Sequence, residues 1–181
     1  MNPVVRRSWS PVGRTPVVPG DGGHRRKVSV IGAVTVSPVA HRLGFYFATR
    51  PDGYFDAGAV VAFLRDLLKH LPGRVVVIWD NGPNHGGPVV RDFLKRTRRL
   101  TLVRLPPYSP HLNPVEAVWG WLKWGRLANY APDRLADLGE WAAEYLVELK
   151  CNPALLRALW DRSELPFPTD GVSQPELPAS Q

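Results

Sequence analysis

One cysteine, Cys151, is all the chain offers for thiol chemistry. An internal disulfide needs two and a Cys-based zinc site needs more, so both are excluded. A reducing, cytoplasmic setting is expected. Long apolar runs are missing too. None approaches the roughly 20 residues that a membrane helix requires. The first residues carry Arg6, Arg7 and Arg14 but no apolar stretch of the signal-peptide kind. Acidic side chains are in deficit: 16 Asp and Glu stand against 23 Lys and Arg, a formal net charge of +7. A basic protein of this size attracts polyanions, nucleic acid first among them. A basic surface serves solubility equally well, so charge alone leaves the two readings even.

What is present suits one domain. The chain has 181 residues, 44% of them hydrophobic, enough for a sizeable core. Residues 1–27 are rich in Pro, Gly and Arg and read as an extended lead-in. The β-branched run Val28 to Val36 predicts a strand, and His41 to Thr49 a second one paired with it as a hairpin. Apolar residues at helical spacing predict a helix over Asp56 to His70, with Asp56 as its cap. Val75 to Trp79 is a short continuous apolar run, the pattern of a strand buried on both faces. A helix over Gly87 to Arg98 and a strand over Leu100 to Leu105 follow. Beyond a proline-rich loop, helices are expected at Pro114 to Leu127, Asp133 to Lys150 and Pro153 to Asp161. Pro, Ser and Gln from Ser163 onward predict a disordered tail. The organisation is a lead-in (1–27), a core (28–130), C-terminal helices (131–162) and a tail (163–181). Strands alternating with helices after a hairpin indicate an α/β fold with a mixed sheet flanked by helices.

Two carboxylates stand where chemistry collects. Asp80 directly follows the Val75 strand, and active sites in open α/β sheets gather at the carboxyl ends of strands. Asp80-Asn81-Gly82 is also a strong turn sequence, and position alone favours the turn. Glu116 falls at the third position of a helix that Asn113 caps and Pro114 opens, so a capping box explains it without catalysis. The pair shifts the balance. If the Val75 and Leu100 strands are parallel neighbours, both side chains emerge on one sheet edge. Carboxylates clustered there hold hard, oxygen-seeking cations such as Mg²⁺.

The surrounding residues carry a resemblance. Asp80-Asn81-Gly82-Pro83-Asn84-His85 is followed by Leu105-Pro106-Pro107-Tyr108-Ser109-Pro110-His111-Leu112-Asn113-Pro114-Val115-Glu116, then Trp119 and Lys123. Together these resemble the signature of DDE-superfamily transposases, most closely the mariner-like transposases of bacterial insertion sequences. Arg6-Arg7-Ser8-Trp9-Ser10-Pro11 with Gly13 and Thr15-Pro16 resembles the segment after that family's first strand. The similarity runs from about Arg6 to Asn129.

The resemblance implies a ribonuclease-H-like fold and a metal-dependent enzyme that cleaves and joins DNA strands. Asp80 would be the second catalytic carboxylate and Glu116 the third, holding two Mg²⁺ or Mn²⁺ ions about 3.5–4 Å apart for in-line phosphoryl transfer. DNA, as transposon ends and target, is the implied partner, and a homodimer the implied assembly. Asn81, His85, Tyr108, Asn113 and Lys123 would support the site or touch DNA.

The chain departs from the family at one point. The family's first catalytic Asp sits on a central strand before the Arg-Arg segment, and no Asp or Glu here precedes Asp21. Asp21, Asp52 and Asp56 lie in loop, turn and cap contexts and are poor substitutes. Without that strand the hairpin and the Val75 strand are expected to keep unpaired edges. Two descriptions therefore compete: an active endonuclease that finds a third acidic ligand, and an inactive remnant that binds DNA non-specifically. A nuclease of the same fold is a third, which the Pro-Pro-Tyr-Ser-Pro and Leu-Asn-Pro motifs disfavour.

Among the other residues, Arg91, Lys95, Arg96, Arg98, Arg99 and Arg104 can track a DNA backbone or form a solvated face. Trp119 is expected in the core, Trp121 and Trp124 exposed for base stacking, and Cys151 buried or partly buried.

Overall fold

The structure, a computed structural model, describes residues 6, 7, 9–14, 27–130, 132 and 134–167. Two ten-residue strands, β1 (Val28–Ser37) and β2 (Arg42–Pro51), form an antiparallel hairpin in register from Val28↔Pro51 to Ser37↔Arg42. Helix α1 (Ala57–His70) follows, and Asp56 caps it by accepting the Ala59 amide at 2.8 Å, as expected. Strand β3 (Val75–Trp79), helix α2 (Pro88–Arg96) and strand β4 (Leu100–Arg104) make a right-sized crossover unit, and β3 and β4 are parallel. Helix α3 (Pro114–Gly120) runs directly into a π turn (Trp121–Arg126); helices α4 (Leu135–Lys150) and α5 (Pro153–Trp160) end the described fold.

The hairpin divides the interior because its side chains alternate with period two. Val28, Val30, Val34, Phe45 and Phe47 face a cluster built from Val118, Leu122 and Leu127 with Leu138, Ala142, Leu146 and Leu149 of α4 and Leu156 and Leu159 of α5. Ile31, Ala33 and Tyr46 face the other way, onto Val60, Val61, Leu64, Leu67 and Leu68 of α1, Trp79, Val90, Phe93 and Leu100. Gly32 permits one close approach: a Cβ there would stand 2.8 Å from Cη2 of Trp119. Trp119 is thus the core residue expected.

Among the described residues β1 pairs only with β2, and β3 only with β4. Among the described residues neither pair is joined to a third strand, at the edges expected to be unpaired.

Several expectations need correction. β3 is not buried on both faces: Val76 is 60% and Ile78 52% exposed, and Val103 beside them on β4 is 45% exposed. One face of this pair meets α1 and α2, and the opposite face has no covering element among the described residues. The helix over Pro114 to Leu127 changes character at Trp121, where Leu127 N–H donates to the Leu122 carbonyl at 2.9 Å. This five-residue closure keeps Leu122 and Leu127 both in the core. Trp121 packs on that core, leaving Trp124 as the exposed ring at 52%. Cys151 is exposed at the end of α4. Arg99 is not a free cation. Its guanidinium donates to the carbonyls of Leu71 (2.7 Å), Gly73 (2.8 Å) and Leu68, satisfying the end of α1. Arg91, Lys95, Arg96 and Arg98 are exposed.

At the expected tail, Glu164 still donates its amide to the His111 carbonyl at 3.0 Å, whereas residues 168–181 lie outside the described residues. At the other end, Arg6 donates its amide to Oδ1 of Asn129 at 2.6 Å and its guanidinium to the Trp124 carbonyl. No helix among the described residues is long and apolar enough to cross a membrane.

Because α4 and the hairpin share one cluster, α4 is expected to be as necessary as the strands. Leu146, fully buried on α4, tests this: Leu146→Ala should cost about 2–5 kcal/mol in urea unfolding, lost in the single transition of the whole chain. A loss below about 1 kcal/mol would show that α4 is peripheral.

Candidate active site

Parallel pairing sends the ends of β3 and β4 to one edge. The register places Trp79 beside Arg104, and the ladder extends one step further, with Leu105 N–H donating to the Trp79 carbonyl at 2.9 Å. Asp80 leaves β3 at this edge. Asn81 fastens the two strand ends: its Nδ2 donates to the Leu105 carbonyl at 2.9 Å, and its Oδ1 accepts from Nη1 of Arg104 at 3.2 Å. Asp80-Asn81-Gly82 is indeed a turn, since Gly82 N–H donates to Oδ1 of Asp80 at 2.8 Å. The turn is thus part of the candidate site.

The proline-rich loop brings the second carboxylate back to the first. Pro106 and Pro107 stiffen its start. Tyr108 is fully exposed and takes a left-handed backbone with φ 58°, a conformation disfavoured for a β-carbon. A short turn over Pro110–Leu112 then delivers Asn113, whose Oδ1 accepts the Val115 amide at 3.3 Å. Asn113 is the helix cap expected, but the capping box is only half formed. The Asn113 amide that such a box gives to the glutamate goes to the Pro110 carbonyl at 3.0 Å. Glu116 is thereby left available to the cavity.

Asp80, Asn81, Tyr108, Asn113 and Glu116 line one cavity of about 400 Å³. A second cavity of about 270 Å³ borders Glu116 on another side, with His111, Ser163 and Arg162 in its wall. Partial desolvation raises the Glu116 carboxyl above its ordinary range, and the Asp80 charge raises it further; Lys123 pulls it back down. Asp80 and Lys123 are thus both near enough to Glu116 to act on it. His85 reaches Asp80 directly, its Nδ1 2.8 Å from Oδ1. Five of the residues singled out share this cavity, His85 touches Asp80, and Lys123 lies near enough to act on Glu116.

The alternative acidic ligands are not among these. Asp52 occupies a turn with φ 50°, Asp56 is spent on the α1 cap, and Asp21 lies outside the described residues. Among the described residues no group of three or more His, Cys, Asp or Glu side chains is arranged to hold a metal ion. Sequence reasoning missed two participants. Trp79 stacks flat on His85, and Arg162 enters the wall beside Glu116 from beyond α5. The adjacency of Trp79 to Asp80 was a usable signal for the first; nothing local marks the second.

The raised Glu116 carboxyl has a sign that can be checked. A folded-state pKa above the unfolded value means that ionisation destabilises the fold; the penalty is complete above the folded pKa and absent below the unfolded one. In chelator, Glu116→Gln is therefore expected to melt above the wild type at pH 7, with the gap closing as pH falls through the carboxylate range. A lower melting temperature at pH 7 would contradict this electrostatic picture.

The family model of the DDE superfamily endonucleases matches residues 1–138. No match to a curated protein was found. Three solved structures of the Mos1 transposase share the fold. The paired-end complex with left transposon end is 21% identical with a TM-score of 0.57, covering 89% of this chain and 47% of that one. The mariner paired-end complex with Mn is 21% identical with a TM-score of 0.55, over 90% and 49%. The strand transfer complex is 22% identical with a TM-score of 0.54, over 89% and 48%. The chain spans about half the length of these transposase chains. The fold is the mixed α/β, ribonuclease-H-like one expected. Most of its length lies within the matched family region, and the chain belongs to the DDE superfamily endonuclease family.

Proposed function

We propose that the chain is the catalytic domain of a transposase that cleaves DNA strands and transfers them by metal-dependent, in-line phosphoryl transfer. The observation that carries this reading is the convergence of Asp80 and Glu116, from different elements, on one cavity at the carboxyl edge of the β3–β4 pair. Oxygen-only side chains suit a hard divalent cation, Mg²⁺ or Mn²⁺. The Glu116 carboxyl is raised mainly by partial desolvation and further by the Asp80 charge, and a cation between the two would relieve both. Asp80 and Glu116 would hold the ions, which would supply positive charge to the phosphodiester oxygens as the bond breaks.

The chain's own residues supply the rest. Asn81 keeps the strand ends together and so fixes where Asp80 starts. Asn113 and the short turn before it set Glu116 on the first turn of α3. Lys123 supplies a cation near Glu116 and would meet a DNA phosphate. Tyr108, exposed at the cavity rim, offers a flat face to a base. In the proposed reaction water, and then a freed 3′-hydroxyl, attacks the phosphodiester opposite its leaving oxygen. The partners would be transposon ends and target DNA. A homodimer is the assembly proposed, from the resemblance to mariner-like transposases alone.

One observation favours a second reading, an inactive remnant that binds DNA without cutting it. Only two carboxylates converge among the described residues, a charge of −2 for two divalent ions. Plasmid nicking in Mg²⁺ or Mn²⁺ separates the two. The first reading expects nicking by the wild type and at least a hundredfold loss in Asp80→Ala and Glu116→Ala, on the order of one lost electrostatic catalytic group. An intact, salt-sensitive DNA affinity with no nicking would establish the second reading instead.

A further inference from the structure

Asp80 does not meet the cavity as a free carboxylate. Its Oδ1 accepts the Gly82 amide at 2.8 Å and lies 2.8 Å from Nδ1 of His85. A carboxylate can only accept, so Nδ1 is the protonated nitrogen in this contact. The same nitrogen is 3.4 Å from the Asp80 carbonyl, a longer and weaker approach. Both strong donors therefore fall on one oxygen, and neither bond uses Oδ2.

The His85 ring is itself gripped. It stacks on Trp79 with centroids 4.8 Å apart and planes within 8°. Trp79 is 7% exposed and belongs to the α1–α2 core. The His85 amide donates to the Gly82 carbonyl at 2.9 Å, closing the turn that carries the ring. Only 19% of the side chain is exposed. A ring that merely filled space over Trp79 would not need a nitrogen aimed at Asp80. A solvent-facing loop histidine would not be stacked and largely covered.

We propose that His85, held flat by Trp79, is a positioning residue for the second carboxylate: it engages Oδ1 of Asp80 so that Oδ2 is the oxygen presented to a divalent cation. This rests on the reading of Asp80 as a cation ligand. Removing an outer partner of a metal ligand weakens metal binding by about 10–100-fold. The orientation of Asp80 would thus be dictated from the core through two rings, rather than by the loop alone.

The test is Mn²⁺ binding to the metal-free chain, followed by the paramagnetic resonance of free Mn²⁺, without any DNA. His85→Phe keeps the stack and loses the donor. His85→Asn keeps a donor at the reach of Nδ1 and loses the stack. Both should retain the wild-type circular dichroism spectrum, and they replace His85→Ala should that variant fail to fold. The Mn²⁺ affinity of His85→Phe is expected to fall about tenfold or more, and His85→Asn to recover most of it. The Mn²⁺ concentration for half-maximal nicking should shift in parallel. Wild-type affinity in His85→Phe, or an Asn variant as weak as the Phe variant, would overturn the positioning role. Asp80→Asn separates this failure from a deeper one. If it binds Mn²⁺ as tightly as the wild type, Asp80 is not a ligand and both readings fall; if it alone loses binding, only the role of His85 does.

Discussion

The site depends on the parallel pairing of β3 with β4. Five residues on each strand, in register from Val75↔Leu100 to Trp79↔Arg104, decide that Asp80 and Leu105 leave the sheet side by side. The extra ladder bond from Leu105 to Trp79 and the Asn81 clamp carry that pairing past the last strand residue. Everything after Leu105 is then a matter of chain length and stiffness. Proline-restricted backbone, one left-handed tyrosine and a short turn return the chain to the cavity with Glu116 on the first turn of a helix. Slipping the pair by one residue would turn Trp79 out of the core and displace Asp80 relative to the loop.

Much of this was legible because it is local. Asp56 and Asn113 are caps, the β-branched run is a strand, and apolar spacing marks α1 and α4, all for reasons contained within a few residues. The meeting of Asp80 and Glu116 was legible for a different reason. It follows once two short strands are taken as parallel neighbours, and the motif resemblance points to the same pairing. What was not legible depends on contacts distant in sequence. Arg99 looked like part of a cationic run, yet three carbonyls from the end of α1 take up its guanidinium. The apolar run of β3 looked doubly buried, yet Val76 and Ile78 face outward, because an apolar sequence cannot announce that one of its faces has no neighbour. Trp121 and Trp124 differ in fate because a π turn, not an α-helix, carries them.

The split sheet and the convergence of Asp80 with Glu116 coexist. Among the described residues the hairpin and the β3–β4 pair are separate sheets, but they are joined through side chains: Ile31, Ala33 and Tyr46 rest on the α1–α2 core while the opposite face of the hairpin rests on α4 and α5. Cohesion between the two halves is thus carried by apolar contact, which is non-directional, rather than by a continuous ladder. The carboxylates belong to the β3–β4 half and to the first turn of α3, whose own core contacts lie with the hairpin. Glu116 and Asp80 therefore come from the two sides of this seam, and their proximity reports on how the halves are assembled.

That proximity can be measured without metal, DNA or activity. Carbon-13 NMR titration of the Glu116 carboxyl, in chelator, should place its pKa above the ordinary glutamate range in the wild type. Asp80→Asn should lower it towards that range, stopping short because desolvation, the larger cause, remains. A Glu116 titration that Asp80→Asn leaves unmoved would mean that the two carboxylates do not share a site, and the proposed catalytic centre would go with it.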